Sequence, residues 1–229
     1  SRSHSTTPLA SPVASAAMAL PWICFEGCPG AGKTSVIRAV AGASGSIEAV
    51  LQDRAAWAPA LDIATRPGAP PEAKLLAQCA ILKWYNEVLA APPSIGGASA
   101  VRLVESGPAS TRAYAEYHLA TAADSADSAL HAVASCLFDG TPGPAPPPAA
   151  VIYLECPPAV AAGRVAGRAV HGDSAWSESA LRALDATLRA NAERIAANAG
   201  APFVLVDASG PLDVVAEACA SAVDACRTA

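Results

Sequence analysis

The stretch Ile23–Ser35, ICFEGCPGAGKTS, runs from an apolar segment through a glycine-rich turn into Gly32-Lys33-Thr34. Gly27, Gly32, Lys33 and Thr34 satisfy G-x-x-x-x-G-K-[ST], with a strand pattern before the loop and a helix pattern after it. Glycines let backbone N–H groups curl around phosphate oxygens with no Cβ in the way, and the helix N-terminus adds partial positive charge. Gly27, Gly30, Gly32, Lys33, Thr34 and Ser35 are thus the candidate cradle for the phosphates of ATP. Lys33 would reach the outer phosphates, and the Thr34 hydroxyl would ligate Mg²⁺. The loop alone does not say whether the phosphoryl group passes to water or to an acceptor.

The chain around it has 229 residues, suited to one domain. Residues 1–20, rich in Ser, Pro and Ala and free of acids, read as a leader, and 21–229 as a single domain. Apolar residues make up 52% but aromatics only 5%, so the core is expected to consist of small side chains on many helices. A formal charge of −5 argues against a partner in nucleic acid or an anionic membrane. Seven scattered cysteines, without a Cys-x-x-Cys pair, read as reduced thiols of a cytoplasmic protein. No apolar run approaches the roughly 20 residues of a membrane span.

Strand patterns recur at WICFEG, IEAVLQD, AVRLVES, AVIYLEC and PFVLVDAS, alternating with helical segments. The order predicts an α/β fold of P-loop NTPase type: a three-layer sandwich with a five-stranded, mostly parallel sheet flanked by helices. PEAKLLAQCAILKWYNEVLAA reads as one long helix, and SESALRALDATLRANAERIAANAG as another with a serine cap and a terminal glycine. The segment from Thr111 to Phe138 is helical with a break near Ala123-Asp124-Ser125.

From Trp22 to Ser209 four segments in order, the EG…GAGKT loop, LLAQCAIL, VESGPASTRAYAEYH and VIYLECPPAVAAGRVAGRAVHGD, resemble the deoxynucleoside kinase family. That family includes herpesviral thymidine kinases and cellular deoxycytidine and deoxyguanosine kinases. The resemblance implies transfer of the ATP γ-phosphoryl group to the 5′-hydroxyl of a deoxynucleoside, with thymidine or another pyrimidine most favoured, and a homodimer. Glu105 falls at the family's acidic position and would hold Mg²⁺ with Thr34, while Arg112 falls at the arginine further along. The arginine usual directly after the acid is replaced by Ser106. Arg164 and Arg168 match the arginines of a lid over the donor phosphates, and Asp173 the acid that bonds the sugar 3′-hydroxyl. Gln78 is the counterpart of the glutamine that pairs with the nucleobase edge, and Trp57 of a tryptophan that packs on the substrate. Family spacing places the general base at Gln52, which cannot accept a proton. A one-residue shift gives Asp53, the preferred base.

Two other readings stay open. Arg54 or Arg66 near the second strand suits a nucleoside monophosphate kinase of the thymidylate type, which must bind an acceptor phosphate. Gln52 and Ser106 together would suit a nucleotide-binding module without chemistry.

Overall fold

The computed structural model describes residues 20–66, 68–97, 99–121, 128–139, 146–168 and 176–228. Its elements run β1 (Trp22–Glu26), α1 (Lys33–Gly42), β2 (Ile47–Val50), α2 (Arg54–Thr65), α3 (Pro71–Ala90), β3 (Val101–Glu105) and α4 (Pro108–Ala120). They continue with α5 (Ser128–Asp139), β4 (Ala150–Glu155), α6 (Pro158–Ala166), α7 (Glu178–Ala199), β5 (Phe203–Asp207) and α8 (Leu212–Thr228). The reading of residues 1–19 as a leader, the break at Ala123–Ser125 and Asp173 lie outside the described residues.

The five strands form one sheet in the order β2-β3-β1-β4-β5, and every pairing is parallel. Helices flank it, α1 packing with α8 and α4 with α7. All five residues of β1 and of β3 are buried, so neither strand shows the in–out alternation of a half-exposed sheet, and the charged Arg102 and Glu105 of β3 are buried with partners. β1 sits at the centre, so the Gly27–Thr34 loop leaves the middle of the sheet's carboxyl edge. Register places Phe25 beside Glu105 on one side and Glu26 beside Tyr153 on the other. In open α/β sheets this crevice, outside the carboxyl ends of the strands, is where ligands bind.

Small residues bring the layers close together. Ala113, Ala115, Ala161 and Ala192 are fully buried, as are Leu181, Leu184 and Leu188 along α7. Ser177 caps α7, accepting from the Ala180 N–H at 3.2 Å, and Gly200 closes it in the left-handed conformation. One ion pair is built into the sheet. Arg102 of β3, 3% exposed, donates to the Glu48 carboxylate of β2 at 2.7 Å and to the Val88 and Leu89 carbonyls at the end of α3. Among the described residues no helix is long and apolar enough to cross a membrane.

Candidate functional site

A cavity of about 430 Å³ opens at the carboxyl edge, a size typical of small-molecule sites. Its lining takes Gly30, Gly32, Lys33, Thr34 and Ser35 from the loop and the start of α1, and Trp57, Gln78, Ile81, Tyr114, His118 and Trp176 from α2, α3, α4 and the segment before α7. The loop needs its glycines for two reasons. Gly30 has φ +87° and backs onto Ala161 of α6 so closely that a Cβ would collide with that residue's backbone. Gly27, at φ +137°, would press a Cβ to 2.7 Å from the Leu154 carbonyl. Lys33 is buried and donates to the carbonyls of Gly27 at 2.6 Å and Cys28 at 3.1 Å, which anchors its ammonium within the loop it serves.

Glu105, at the end of β3, is the one carboxylate lining the cavity among the described residues. It accepts from the Thr34 hydroxyl and, at 3.2 Å, from the Gln52 N–H, while Tyr85 donates its hydroxyl to the Glu105 carbonyl at 2.7 Å. The structure thus brings together the Thr34 and Glu105 oxygens expected at Mg²⁺. Two hard oxygen donors beside a phosphate loop fit this ion, which usually takes one or two protein ligands and completes its shell with water and substrate phosphates.

Glu26, at the end of β1, is fully buried and outside the cavity. Burial pushes its carboxyl above the ordinary range, against hydrogen bonds from Ser110 and Cys24 and the charge of Lys33. Gly107 is needed beside it, since a Cβ there would lie 2.9 Å from the Cys24 sulfur.

Three expected site residues point elsewhere. Asp53 does not face the cavity: it is the N-cap of α2, and its exposed carboxylate accepts from the Ala56 N–H at 2.9 Å. Gln52 lines the cavity instead, donating its amide to the Ser106 hydroxyl at 3.1 Å. Arg164 is absent from the cavity lining. It donates to the carbonyls of Ala208 at 2.8 Å, Ser209 at 3.1 Å and Gly210 at 3.2 Å, tying α6 to the loop before α8. Arg112 pairs with Glu116 one turn along α4 and is absent from the cavity lining. Arg168 does line the cavity.

The lining contributed by α2, α3 and α4 is aromatic and polar at once. Trp57, 5% exposed, packs edge-on against Trp84 and Tyr85, with ring centroids 5.0 and 5.4 Å away. Its buried indole N–H has no hydrogen-bond partner among the described residues. Gln78 is 4% exposed and lines the cavity, yet its amide has no partner among the described residues either. The Trp57 N–H is the fully buried side-chain polar atom left unpaired among the described residues, at a cost of about 1–3 kcal/mol.

Sequence reasoning did not find His118, Tyr114, Trp176 or Arg38. The signal was there: Thr111, Tyr114 and His118 recur at helical spacing on α4 and all line the cavity. Burial, reinforced by the charge of Lys74, pushes the His118 imidazole down to about 4. At neutral pH it therefore presents one donor and one acceptor. An unfolded histidine binds its proton near pH 6.5, so between about 6.5 and 4 the unfolded chain holds the extra proton and stability falls on acidification. Replacing His118 with Phe should remove on the order of 2–3 kcal/mol of this acid sensitivity. Thermal melts of both proteins from pH 7 to pH 4 would check this, and parallel curves would refute it.

No protein-family model and no curated protein sequence matches the chain. Among solved structures, it superposes on deoxyadenosine kinase from M. mycoides with bound dCTP at TM-score 0.67 and 12% identity, covering 89% of this chain and 99% of that one. The chain has the fold of a deoxynucleoside kinase. A second structure of that enzyme, with products dCMP and a flexible dCDP bound, matches at TM-score 0.65 and 14% identity, with 89% and 98% covered. The deoxynucleoside kinase fold thus extends over nearly the whole chain, while identity is too low to carry residue roles across.

Proposed function

We propose that this protein transfers the γ-phosphoryl group of ATP to the 5′-hydroxyl of a deoxynucleoside, with a pyrimidine such as thymidine as the first candidate. The observation that carries this reading is that one cavity is lined both by the phosphate loop and by the Gln78 amide among aromatic rings. An ATPase needs no second compartment; a transferase does. The Gln78 amide offers a donor and an acceptor together, as the edge of a pyrimidine requires, and Trp57 supplies an apolar face for the ring.

The loop N–H groups and Lys33 would hold the β- and γ-phosphates in line with the acceptor oxygen, and Arg168 would add positive charge from the α6 side. Thr34 and Glu105 would hold Mg²⁺, which, when bound, neutralises charge developing between the β- and γ-oxygens. Ser106, Gln52 and Tyr85 fix the orientation of Glu105 and its neighbours at the centre of the cavity. No carboxylate replaces Asp53 as a base. Gln52 would orient the hydroxyl without ionising it. Turnover should then fall roughly 10²–10⁴-fold below a site with a positioned base.

Anion-exchange chromatography of reactions containing ATP, Mg²⁺ and single deoxynucleosides tests the reading. Conversion of at least one of them to its monophosphate is expected, with Gln78→Leu raising its KM about tenfold or more. ATP binding without phosphorylation of any nucleoside would favour a regulatory nucleotide-binding module instead.

A further inference from the structure

Resting on the phosphotransferase reading above, we infer that the acceptor hydroxyl gives its proton to the Ser110 hydroxyl, which passes its own to the buried Glu26 carboxylate. No carboxylate meets the acceptor hydroxyl directly. The Gln52 side-chain amide donates to Ser106, and Glu105 is committed to the Thr34 hydroxyl and the Gln52 N–H. Asp53 is occupied at the cap of α2. The proton still has to leave, because the oxygen that bonds to phosphorus cannot keep it.

Ser110 and Glu26 are joined in the sense such a transfer needs. Glu26 has no exposed surface and does not line the cavity, whereas Ser110, also buried, does. The Ser110 hydroxyl donates to Glu26 Oε2. A hydroxyl has one proton to give and two lone pairs, so one that already donates to a carboxylate can only accept on its other side. Two threonine hydroxyls of the lining lead elsewhere. Thr34 donates to Glu105 at the expected metal position, and Thr111 donates to the carbonyls of Gly107 and Pro108, which cannot take a proton.

The other oxygen of the buried carboxylate, Glu26 Oε1, accepts from the Cys24 thiol at 3.3 Å, a weak donor. Burial holds the Glu26 carboxyl above the ordinary range, nearer to the pH at which a proton acceptor works best. The titratable groups facing it are Cys24 on its own strand, Lys33 on α1, Tyr85 on α3 and Tyr153 on β4. Burial raises the thiol and both phenols, so among these groups Glu26 is the one that changes charge on the acid side of neutrality.

The step balances. The acceptor oxygen forms its bond to the γ-phosphorus while its proton moves to Ser110 Oγ, and the Ser110 proton moves to Glu26 Oε2. The bond from phosphorus to the β–γ bridging oxygen breaks, and ADP leaves with that electron pair. After release of the monoester, the proton returns by the same path to water. Gln52 orients the hydroxyl, and the relay recovers part of the factor lost with a direct base.

The test follows the deoxynucleoside that the full chain phosphorylates best, with ATP and Mg²⁺. Ser110→Ala and Glu26→Gln should each lower kcat about 100-fold, with the KM for acceptor and for ATP within about threefold of the parent. The double variant should lose no more than either single one, since both cut the same relay. Ser110→Thr, which keeps the hydroxyl, should recover part of the loss. Glu26 accepts only when ionised, so kcat of the parent should fall as pH drops through its raised value, and this acid limb should be absent from both variants. A limb set by the ionisation of ATP itself would remain in all of them.

Single variants with kcat within about threefold of the parent, losses that multiply in the double variant, or an acid limb unchanged in Ser110→Ala would overturn the relay and leave phosphoryl transfer to nucleosides standing. Should Glu26→Gln fail to fold, the kcat, KM and pH profile of Ser110→Ala decide. A parent that phosphorylates no deoxynucleoside removes the phosphotransferase reading and the relay together.

Discussion

A Lys33→Met variant is expected to lose phosphoryl transfer by roughly 10²–10³-fold while keeping its fold. The side chain is buried within the loop and donates to the Gly27 and Cys28 carbonyls, and in the proposed reaction its ammonium meets the outer phosphates of the donor. Methionine keeps an unbranched stem of similar length, so the packing around α1 survives. What disappears is a fixed positive charge in a water-poor cradle, where such a charge acts far more strongly than in bulk water. Product formation under saturating ATP and acceptor measures the loss, and a melting curve close to the parent separates it from unfolding. A variant within tenfold of the parent would mean that Lys33 does not serve the transferring phosphate.

The largest effect on stability is expected at Arg102. This guanidinium sits between β3, β2 and the end of α3, bonding the Glu48 carboxylate and two helix-terminal carbonyls. Removing one partner of a buried pair strands the other, at a cost of about 3–5 kcal/mol. For a domain of this size Arg102→Met should lower the melting temperature on the order of 10 °C. Burial pushes the Glu48 carboxyl up, but hydrogen bonds from Arg102 and Ser94 outweigh it and leave the group below its usual range. A carboxylate depressed in this way stabilises the fold above its unfolded value and loses that contribution as pH falls through the folded one. Arg102→Met should therefore also flatten the acid limb of the stability profile. Melts across pH 3–7 would check both expectations, and a drop under 3 °C would count against the pair.

The fold was legible because its signals are local. Strand, glycine turn and Lys-Thr are contiguous in Ile23–Ser35, and the five apolar strand patterns are each short and sharply bounded. The phosphate loop was legible as a motif because one contiguous segment supplies it. The rest of the cavity lining comes from segments far apart in sequence, around β2, α2, α3, α4 and α6, and the differences from expectation lie there.

Asp53 is instructive. Read as a shifted base, it is an N-cap, and the cap signal was in the sequence: an aspartate directly before Arg54-Ala55-Ala56, with its side chain now on the Ala56 N–H. The helix it starts went unread because Pro59 interrupts the pattern. Arg164 was misplaced for a different reason. Its carbonyl partners lie 44–46 residues away along the chain, and nothing in its own segment announces them. His118 escaped because a histidine on a helix reads as surface until the opposing helix α3 is in place.

Gln52 and Ser106 both depart from the family pattern that the sequence resembles, and they touch each other through a 3.1 Å hydrogen bond. Ser106 reaches that bond from a left-handed backbone, with φ +60°, a conformation that a side chain other than glycine adopts only when its surroundings compel it. Replacing either residue alone breaks the contact, so a double-mutant cycle across Gln52 and Ser106 should depart from additivity. The two positions thus form one energetic unit, whose coupling can be read from stability alone without any assay of turnover.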